Sequence, residues 1–172
     1  GVGPTGIMHA LLAKSADFSK IFCLDVNNFR LDFAKKLGFE AIGSNDELLS
    51  EIILKSTDGN GVDVAIVATG NLNALTQAIT LVRKGGTIVM FGVPSKGATI
   101  DIDMSSVYSK EITISTTYAA SDIDTKNALE LISSGKIDVK PLITHKYSLD
   151  DSQKAFEHAK TGDNAMKIII EN

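Results

Sequence analysis

The sequence contains a single cysteine, Cys23, among its 172 residues. With one thiol, neither an intrachain disulfide nor a cysteine-based zinc site can form. Cys23 lies in an apolar segment, which favours a small buried residue on a strand. The lack of disulfides is compatible with a reducing compartment, and we expect a cytoplasmic protein.

Long hydrophobic runs and basic clusters are also missing. Apolar runs such as Ile168-Ile169-Ile170 are far too short to span a bilayer. The formal net charge is -4, and no basic run is longer than two residues, as in Lys35-Lys36. Nucleic-acid binders neutralise phosphates with clustered Lys and Arg. We therefore expect neither a membrane nor a nucleic acid as a partner.

No catalytic constellation can be recognised in the sequence. The G-x-S-x-G turn of many serine hydrolases does not occur. His145 and His158 are far apart in the chain, and neither belongs to a metal-binding spacing pattern. We predict no catalytic residue and no metal ligand within this chain.

Strand-like apolar segments alternate with helical stripes from one end of the chain to the other. Val62–Ala68 is almost continuously apolar, which is typical of a strand buried on both faces of a parallel sheet. Met166–Ile170 is a last predicted strand. Because such alternation implies right-handed crossovers, we predict an α/β fold, namely a Rossmann-type doubly wound parallel sheet in three α/β/α layers.

Local signals place several helix ends. Ser44 and Glu47 fit a capping box that would open a helix. The stripe of Leu72, Leu75, Ile79 and Val82 predicts a further helix, which we expect Gly85-Gly86 to end. Another helical stripe contains Thr125, Ala128, Leu129 and Ile132.

The first six residues form a glycine-rich motif. Gly1-Val2-Gly3-Pro4-Thr5-Gly6 matches G-x-G-x-x-G, and a helix is predicted to begin at Pro4. Gly1 would make the tight turn, Gly3 would let a pyrophosphate approach, and Gly6 would let the helix pack closely on the sheet. The first helical turn, with Pro4 and Thr5, would present its positive end to the phosphates.

Asp25 ends the strand that follows the first helix, at about the 20-residue interval expected for a ribose-binding acid. Its carboxylate would accept hydrogen bonds from the adenosine ribose and would repel a 2′-phosphate, which favours NAD over NADP. Arg30 lies one helical turn further on and could pair with a phosphate. Dual use of NAD and NADP therefore stays open, as does the alternative that Arg30 is a surface helix residue.

Other candidate coenzyme contacts follow the next two strands. Ligands of open parallel sheets bind beyond the carboxyl ends of the strands. There the sequence has Thr69-Gly70 and Phe91-Gly92-Val93, small or glycine-containing segments that leave room for adenine and nicotinamide. The alternative is simple turn chemistry.

The glycine motif of this fold normally follows a central first strand, and no residues precede Gly1 to form one. We therefore expect the first strand to be missing from the given chain. Either the sequence upstream of the motif is not included, or another segment fills the slot. Met166–Ile170 is the candidate segment.

Several motifs together resemble the coenzyme-binding part of the zinc-containing medium-chain dehydrogenases, which include sorbitol, butanediol, threonine and alcohol dehydrogenases. The resemblance covers nearly the whole chain. It is carried by Gly1–Gly6, Asp25, Arg30–Gly38, Asp58–Val64, Leu81–Thr87, Gly92–Pro94, Gly135–Ile137 and Pro141–His145.

The resemblance implies reversible hydride transfer between NAD and an alcohol or polyol at a catalytic zinc held by a separate domain. It implies an NAD-binding domain over residues 1–137 and a C-terminal segment, 138–172, that packs on that zinc domain. It also implies nicotinamide contacts near Phe91, Val93 and Tyr118, and a homodimer formed through the strand near Ile112–Thr117. We expect this chain alone to bind NAD weakly and to be inactive.

Two alternatives remain open. One is the coenzyme domain of a zinc-free quinone or enoyl reductase of the same superfamily, which would prefer NADPH and which Asp25 argues against. The other is a non-catalytic nucleotide-binding module that kept the fold.

Overall fold

The computed structural model describes residues 1–172. Helices and strands alternate along most of the chain, as the sequence predicts. The helices are α1 (Pro4–Ser15), α2 (Asn28–Lys36), α3 (Leu49–Ser56), α4 (Asn73–Leu81), α5 (Met104–Ser109), α6 (Asp122–Ser133) and α7 (Ser152–Thr161). The strands are β1 (Phe22–Asp25), β2 (Glu40–Gly43), β3 (Val62–Val67), β4 (Val82–Met90), β5 (Thr113–Thr116), β6 (Ile143–Ser148) and β7 (Lys167–Glu171). Short 3-10 turns span Lys140–Leu142 and Leu149–Asp151.

Parallel pairing dominates the sheets. β3, β4 and β5 form one sheet in that order, in which Thr87 of β4 pairs with Val64 on one side and Thr113 on the other. β6 and β7 form a parallel pair, and β1 pairs with β2. Helices connect the parallel strands, so the predicted Rossmann-type α/β class is confirmed.

The chain divides into two compact units. The first consists of Ile42–Ala119 together with Gly1. Its core forms where α4 packs on β3 and β4, and Ile88 is fully buried there. The core cluster is Val67, Leu75, Ala78, Ile79, Val82, Ile88 and Ile112.

The second unit consists of Val2–Ala41 and Ala120–Asn172. Its core joins the glycine motif and α1 to β1 and α2, and the C-terminal segment adds Leu142 and Met166. The core cluster is Val2, Ile7, Ala10, Cys23, Leu31, Ala34, Phe39, Leu142 and Met166. The division into 1–137 and 138–172 stays a prediction, as does the packing of 138–172 on a zinc domain.

The structure corrects two predicted helix ends. No capping box forms at Ser44 and Glu47; α3 begins at Leu49, and the Asp46 carboxylate accepts the Leu48 N–H at 2.8 Å instead. Gly85-Gly86 does not end a helix, because α4 ends at Leu81 and both glycines lie within β4. The two glycines lie where the pairing of β4 with β3 is irregular, because Val62 pairs with Val82 and Val64 with Thr87, and Gly85 is in the left-handed region at φ 67°.

Burial also differs from two predictions made from apolar patterns. Val64 and Ile66 share one face of β3 and are 41% and 39% exposed. β3 is an edge strand, and α4 packs on the face that carries Val67, so the expected burial of both faces is wrong. The predicted helix α6 is present, but none of its residues is buried.

The last strand does not take the place of a first strand. β7 pairs with β6 only, in a two-stranded sheet that contains neither β1 nor β3. The hypothesis that Met166–Ile170 fills the central slot is therefore wrong. None of the helices combines the length and the hydrophobicity that a membrane span requires.

The side chain of Lys110 caps the carboxyl end of α4. Its Nζ donates to the carbonyl oxygens of Ile79 at 3.1 Å, Thr80 at 3.2 Å and Val82 at 3.4 Å. An ammonium group there satisfies helix-end carbonyls and interacts favourably with the helix dipole.

We predict that Lys110→Met lowers the free energy of unfolding by about 1–2 kcal/mol, because charged hydrogen bonds are lost while the aliphatic stem is kept. Urea denaturation followed by circular dichroism measures the change. Lys96→Met is the matched control, since Lys96 is exposed. Equal midpoints for both variants would contradict the capping role.

Cys23 is 2% exposed, and burial raises the pKa of its thiol to about 11. Because only the thiolate reacts with alkylating agents, we predict that iodoacetamide at about pH 8 leaves the native chain unlabelled and labels it in urea. Mass spectrometry measures the label. Labelling at the same rate with and without urea would show that Cys23 is not protected.

Candidate functional site

The glycine motif forms the turn that opens α1. Gly3 is the N-cap, Pro4 occupies the first helical position, and the first helical bond runs from the Ile7 N–H to the Gly3 carbonyl at 3.0 Å. The helical pattern therefore leaves the N–H groups of Thr5 and Gly6 without intrahelical acceptors. The first turn contains no acidic side chain, so this helix end is suited to an anion.

Asp25 ties the end of β1 to this turn. Its Oδ2 accepts the Val2 N–H at 2.8 Å and its Oδ1 accepts the Asn27 N–H at 2.9 Å. Only 5% of the residue is exposed. A buried carboxylate needs such partners, so Asp25 fixes the position of the glycine motif relative to β1.

The guanidinium of Arg30 lies beside this carboxylate. Its Nη1 is 3.8 Å from Asp25 Oδ2, and 34% of the side chain is exposed. The Asn27 side chain caps α2 by accepting the Arg30 N–H at 3.2 Å, which fixes the start of the helix that carries Arg30. The Arg30 Nε is buried and has no hydrogen-bond partner.

Glycines leave the space beside Arg30 open. A methyl group added at Gly3 would lie 3.6 Å from the Arg30 Nη1, and one at Gly162 would lie 3.8 Å from its Nη2. Both are ordinary contact distances, so no side chain separates the guanidinium from the glycine motif. A carboxylate oxygen has two lone pairs, so Asp25 can also accept hydrogen bonds from hydroxyl groups. These residues fit the diphosphate and ribose of a dinucleotide.

A second group of predicted residues lies in the Ile42–Ala119 unit, where β3 and β4 end side by side. The Val67 carbonyl accepts the N–H groups of Phe91 at 3.1 Å and Gly92 at 2.8 Å. A methyl group at Gly70 would lie 2.5 Å from the Val93 carbonyl oxygen, and one at Gly92 would overlap the Thr69 main chain. The two strand ends therefore touch through their backbones.

Side chains around these strand ends remain accessible. Phe91 is 39% exposed, Val93 is 70% exposed, and Tyr118, which follows β5, is 88% exposed. Gly1 belongs to the same unit, and a methyl group there would lie 3.3 Å from the Thr69 Cβ. The structure thus brings Gly1, Thr69, Gly70, Gly92 and Val93 together.

Two features of the predicted site were not foreseen from sequence. The first is the bond from the Val2 N–H to Asp25, because nothing in the sequence shows which backbone group a buried acid meets. The second is the N-cap Asn27, for which the spacing of Asn27 before a helical stripe was an available signal.

The two histidines that are distant in sequence come together in space. The rings of His145 and His158 are edge to face, with centroids 4.5 Å apart. His158 Nδ1 lies 2.8 Å from the Tyr147 hydroxyl, and its Nε2 lies 2.7 Å from the Asp163 carbonyl oxygen. Both ring nitrogens of His158 are therefore engaged in joining α7 to its neighbours. The structure shows no group of three or more His, Cys, Asp or Glu side chains that could hold a metal ion.

We predict that Gly92→Ala lowers the free energy of unfolding by about 3 kcal/mol or more, because the added methyl group overlaps the Thr69 main chain and neither backbone can yield. Thermal denaturation measures the effect. Gly43→Ala is the control, since nothing lies within 4 Å of a methyl group there. A Gly92→Ala variant as stable as Gly43→Ala would refute the close backbone contact.

Comparison with known proteins agrees with this geometry. A family model described as zinc-binding dehydrogenase matches residues 4–134. The L-threonine 3-dehydrogenase of Colwellia psychrerythraea is 32% identical over 99% of this chain and 50% of its own length. A putative D-xylulose reductase of Rhizobium meliloti is 34% identical over 99% of this chain and 49% of its own length.

Solved structures give the same result. The 2R,3R-butanediol dehydrogenase from Bacillus subtilis superposes with a TM-score of 0.87 at 28% identity, covering 100% of this chain and 49% of that one. An alcohol dehydrogenase from Thermus sp. ATN1 superposes with a TM-score of 0.90 at 25% identity, covering 100% and 49%. The chain spans about half the length of the curated relatives it matches. On the family match over residues 4–134, this chain belongs to the zinc-binding dehydrogenases.

Proposed function

We propose that this chain is the NAD-binding part of a zinc-dependent alcohol or polyol dehydrogenase, which transfers hydride between NAD and an alcohol or ketone. The observation that carries the proposal is the buried Asp25 carboxylate, hydrogen-bonded to the glycine motif at 2.8 Å. In this arrangement the Asp25 carboxylate would accept hydrogen bonds from the ribose beside a helix end that would bind the diphosphate. When bound, NAD supplies the carbon that accepts the hydride. The residues of this chain hold and orient it.

The glycine motif would bind the diphosphate. Gly3 leaves the turn uncovered, and the Thr5 and Gly6 N–H groups and the dipole of α1 favour negative charge there. Arg30 adds a full positive charge, because its guanidinium lies over Gly3 without an intervening side chain. The unpartnered Nε of Arg30 supports this role, since a buried donor gains by facing an anion.

The preference for NAD rests on Asp25 and Arg30 together. A 2′-phosphate would place a second negative group against a carboxylate that is already buried. Arg30 could attract that phosphate, but its Nη1 lies 3.8 Å from Asp25 Oδ2. The 2′-phosphate would therefore compete with Asp25 for the Arg30 guanidinium, which favours NAD over dual use.

The strand ends of β3 and β4 would face the nicotinamide half of the coenzyme. Gly70 and Gly92 have no side chains, and a methyl group at either position would meet opposing main chain. Main-chain groups of Phe91 and Val93 would contact the nicotinamide amide, and the exposed Tyr118 would cover it. These assignments are supported by the carboxyl-end position that ligands of parallel sheets favour.

The remaining parts of the proposal concern the whole protein. Its substrate would be a small alcohol or polyol, and its zinc would be held outside this chain. A homodimer would form through the strand near Ile112–Thr117, because β5 lies at the edge of its sheet and Ile114 is 38% exposed. A reducing, cytoplasmic setting is supported by the single buried thiol.

We predict that Gly3→Ala weakens NADH binding about tenfold or more without lowering the melting temperature. The added methyl group makes only ordinary contacts with Arg30 but occupies the space through which the diphosphate approaches. Nicotinamide fluorescence measures the titration, with Gly43→Ala as the control. Unchanged NADH affinity in Gly3→Ala would argue against a diphosphate at this turn.

We predict that Asp25→Asn narrows the preference for NADH over NADPH by about tenfold or more, because a charge-assisted ribose contact and the repulsion of the 2′-phosphate are both lost. Parallel titrations with the two coenzymes measure the ratio. Asp32→Asn is the control, since Asp32 is an exposed acid of α2. A wild-type chain that prefers NADPH would favour the zinc-free reductase instead.

A further inference from the structure

The structure contains a pocket at the end of β1 opposite to Asp25. It has a volume of about 300 Å³, and its lining includes Lys14, Phe18, Ser19, Lys20, Phe39 and Glu40. All of these residues belong to the unit that contains Val2–Ala41. The four residues of β1 separate the pocket from Asp25 by about 10 Å, so it is not part of the coenzyme site.

Two helix ends of the same type frame this pocket. At the end of α1 the Phe18 N–H bonds the Ala13 carbonyl at 3.2 Å and the Asp17 N–H bonds the Lys14 carbonyl at 3.3 Å, with Asp17 in the left-handed region at φ 59. This bond pair defines a Schellman cap, which places Phe18 at a fixed position after the helix.

The end of α2 repeats the arrangement. The Phe39 N–H bonds the Ala34 carbonyl at 3.1 Å and the Gly38 N–H bonds the Lys35 carbonyl at 2.9 Å, with Gly38 at φ 84. Phe39 is therefore the counterpart of Phe18 in a second Schellman cap. The pocket has one phenylalanine from each cap, and both are held in position by backbone hydrogen bonds.

The two rings differ in exposure. Phe39 is 7% exposed and belongs to the core cluster, whereas Phe18 is 54% exposed. Stacking another aromatic ring on the exposed Phe18 ring would remove apolar surface from water, which is favourable. Because the caps fix the backbone at Phe18 and Phe39, ligand binding costs little backbone conformational entropy.

The charged side chains of the pocket favour an anion and act against the partial negative charge of the two helix carboxyl ends. Lys14 and Lys20 outnumber Glu40, and the Lys14 Nζ lies 5.6 Å from the centroid of the Phe39 ring. The ammonium of Lys14 thus lies over the face of the Phe39 ring. The Ser19 hydroxyl adds a hydrogen-bond donor.

We propose that this pocket binds a small planar aromatic monoanion, such as an aromatic carboxylate. The ring lies against Phe18, and the anionic group meets Lys14 and Lys20. The site is separate from the proposed ribose and diphosphate contacts, because its residues lie at the amino end of β1, whereas Asp25 lies at the carboxyl end.

Fluorine NMR of para-fluorobenzoate titrated with the chain tests the proposal. We expect saturable binding that weakens about fivefold or more in Phe18→Ala and in Lys14→Met. The matched controls are Phe156→Ala, because Phe156 is a 71% exposed phenylalanine of α7, and Lys36→Met. Circular dichroism checks that each variant keeps its fold.

Two ligand controls make the test specific. The uncharged para-fluorobenzamide should bind about fivefold more weakly than the benzoate, and NADH should not displace the benzoate. The proposal is overturned if no benzoate binding occurs at a few millimolar, if the amide binds equally well, or if Phe156→Ala weakens binding as much as Phe18→Ala. Displacement by NADH would also overturn it. A failure of NADH binding alone would contradict only the proposed coenzyme function.

Discussion

A single carboxylate holds the glycine motif in place. Asp25 is buried, and both of its oxygens accept backbone N–H groups, from Val2 before α1 and from Asn27 before α2. A buried acid of this kind is stable only while its partners remain, so the turn, the strand end and the start of the second helix position one another. The proposed recognition of ribose and diphosphate depends on this arrangement.

Under the proposed function, the same carboxylate would perform two tasks that can conflict. Its structural partners are fixed donors, whereas a ribose would bring donors that come and go with the coenzyme. Arg30 adds a positive charge beside this carboxylate, because its Nη1 lies 3.8 Å from Asp25 Oδ2. The Asn27 side chain caps the helix that carries Arg30, so hydrogen bonds link the glycine motif, the end of β1 and the start of α2.

Patterns that depend on near neighbours were readable from the sequence. The helix after Gly3, the strand ending at Asp25 and the helix stop at Gly38 follow from local chemistry, and the structure contains all three. The ligand assignments of these residues stay predictions. Patterns that depend on distant partners were misread: Val62–Ala68 suggested two buried faces, but an apolar run cannot show whether an element covers each face. The failed capping box at Ser44 has a similar origin, because Asp46 competes for the same helix start.

The contact between the strand ends of β3 and β4 limits which substitutions this region tolerates during evolution. Gly70 and Gly92 lie against opposing main chain, so almost every substitution at these two positions destabilises the fold. Variation that survives selection must therefore fall on outward-facing neighbours such as Val93 and Phe91, whose side chains are exposed. Gly70 and Gly92 should therefore stay the same among descendants of the chain, while the residues at positions 91 and 93 vary.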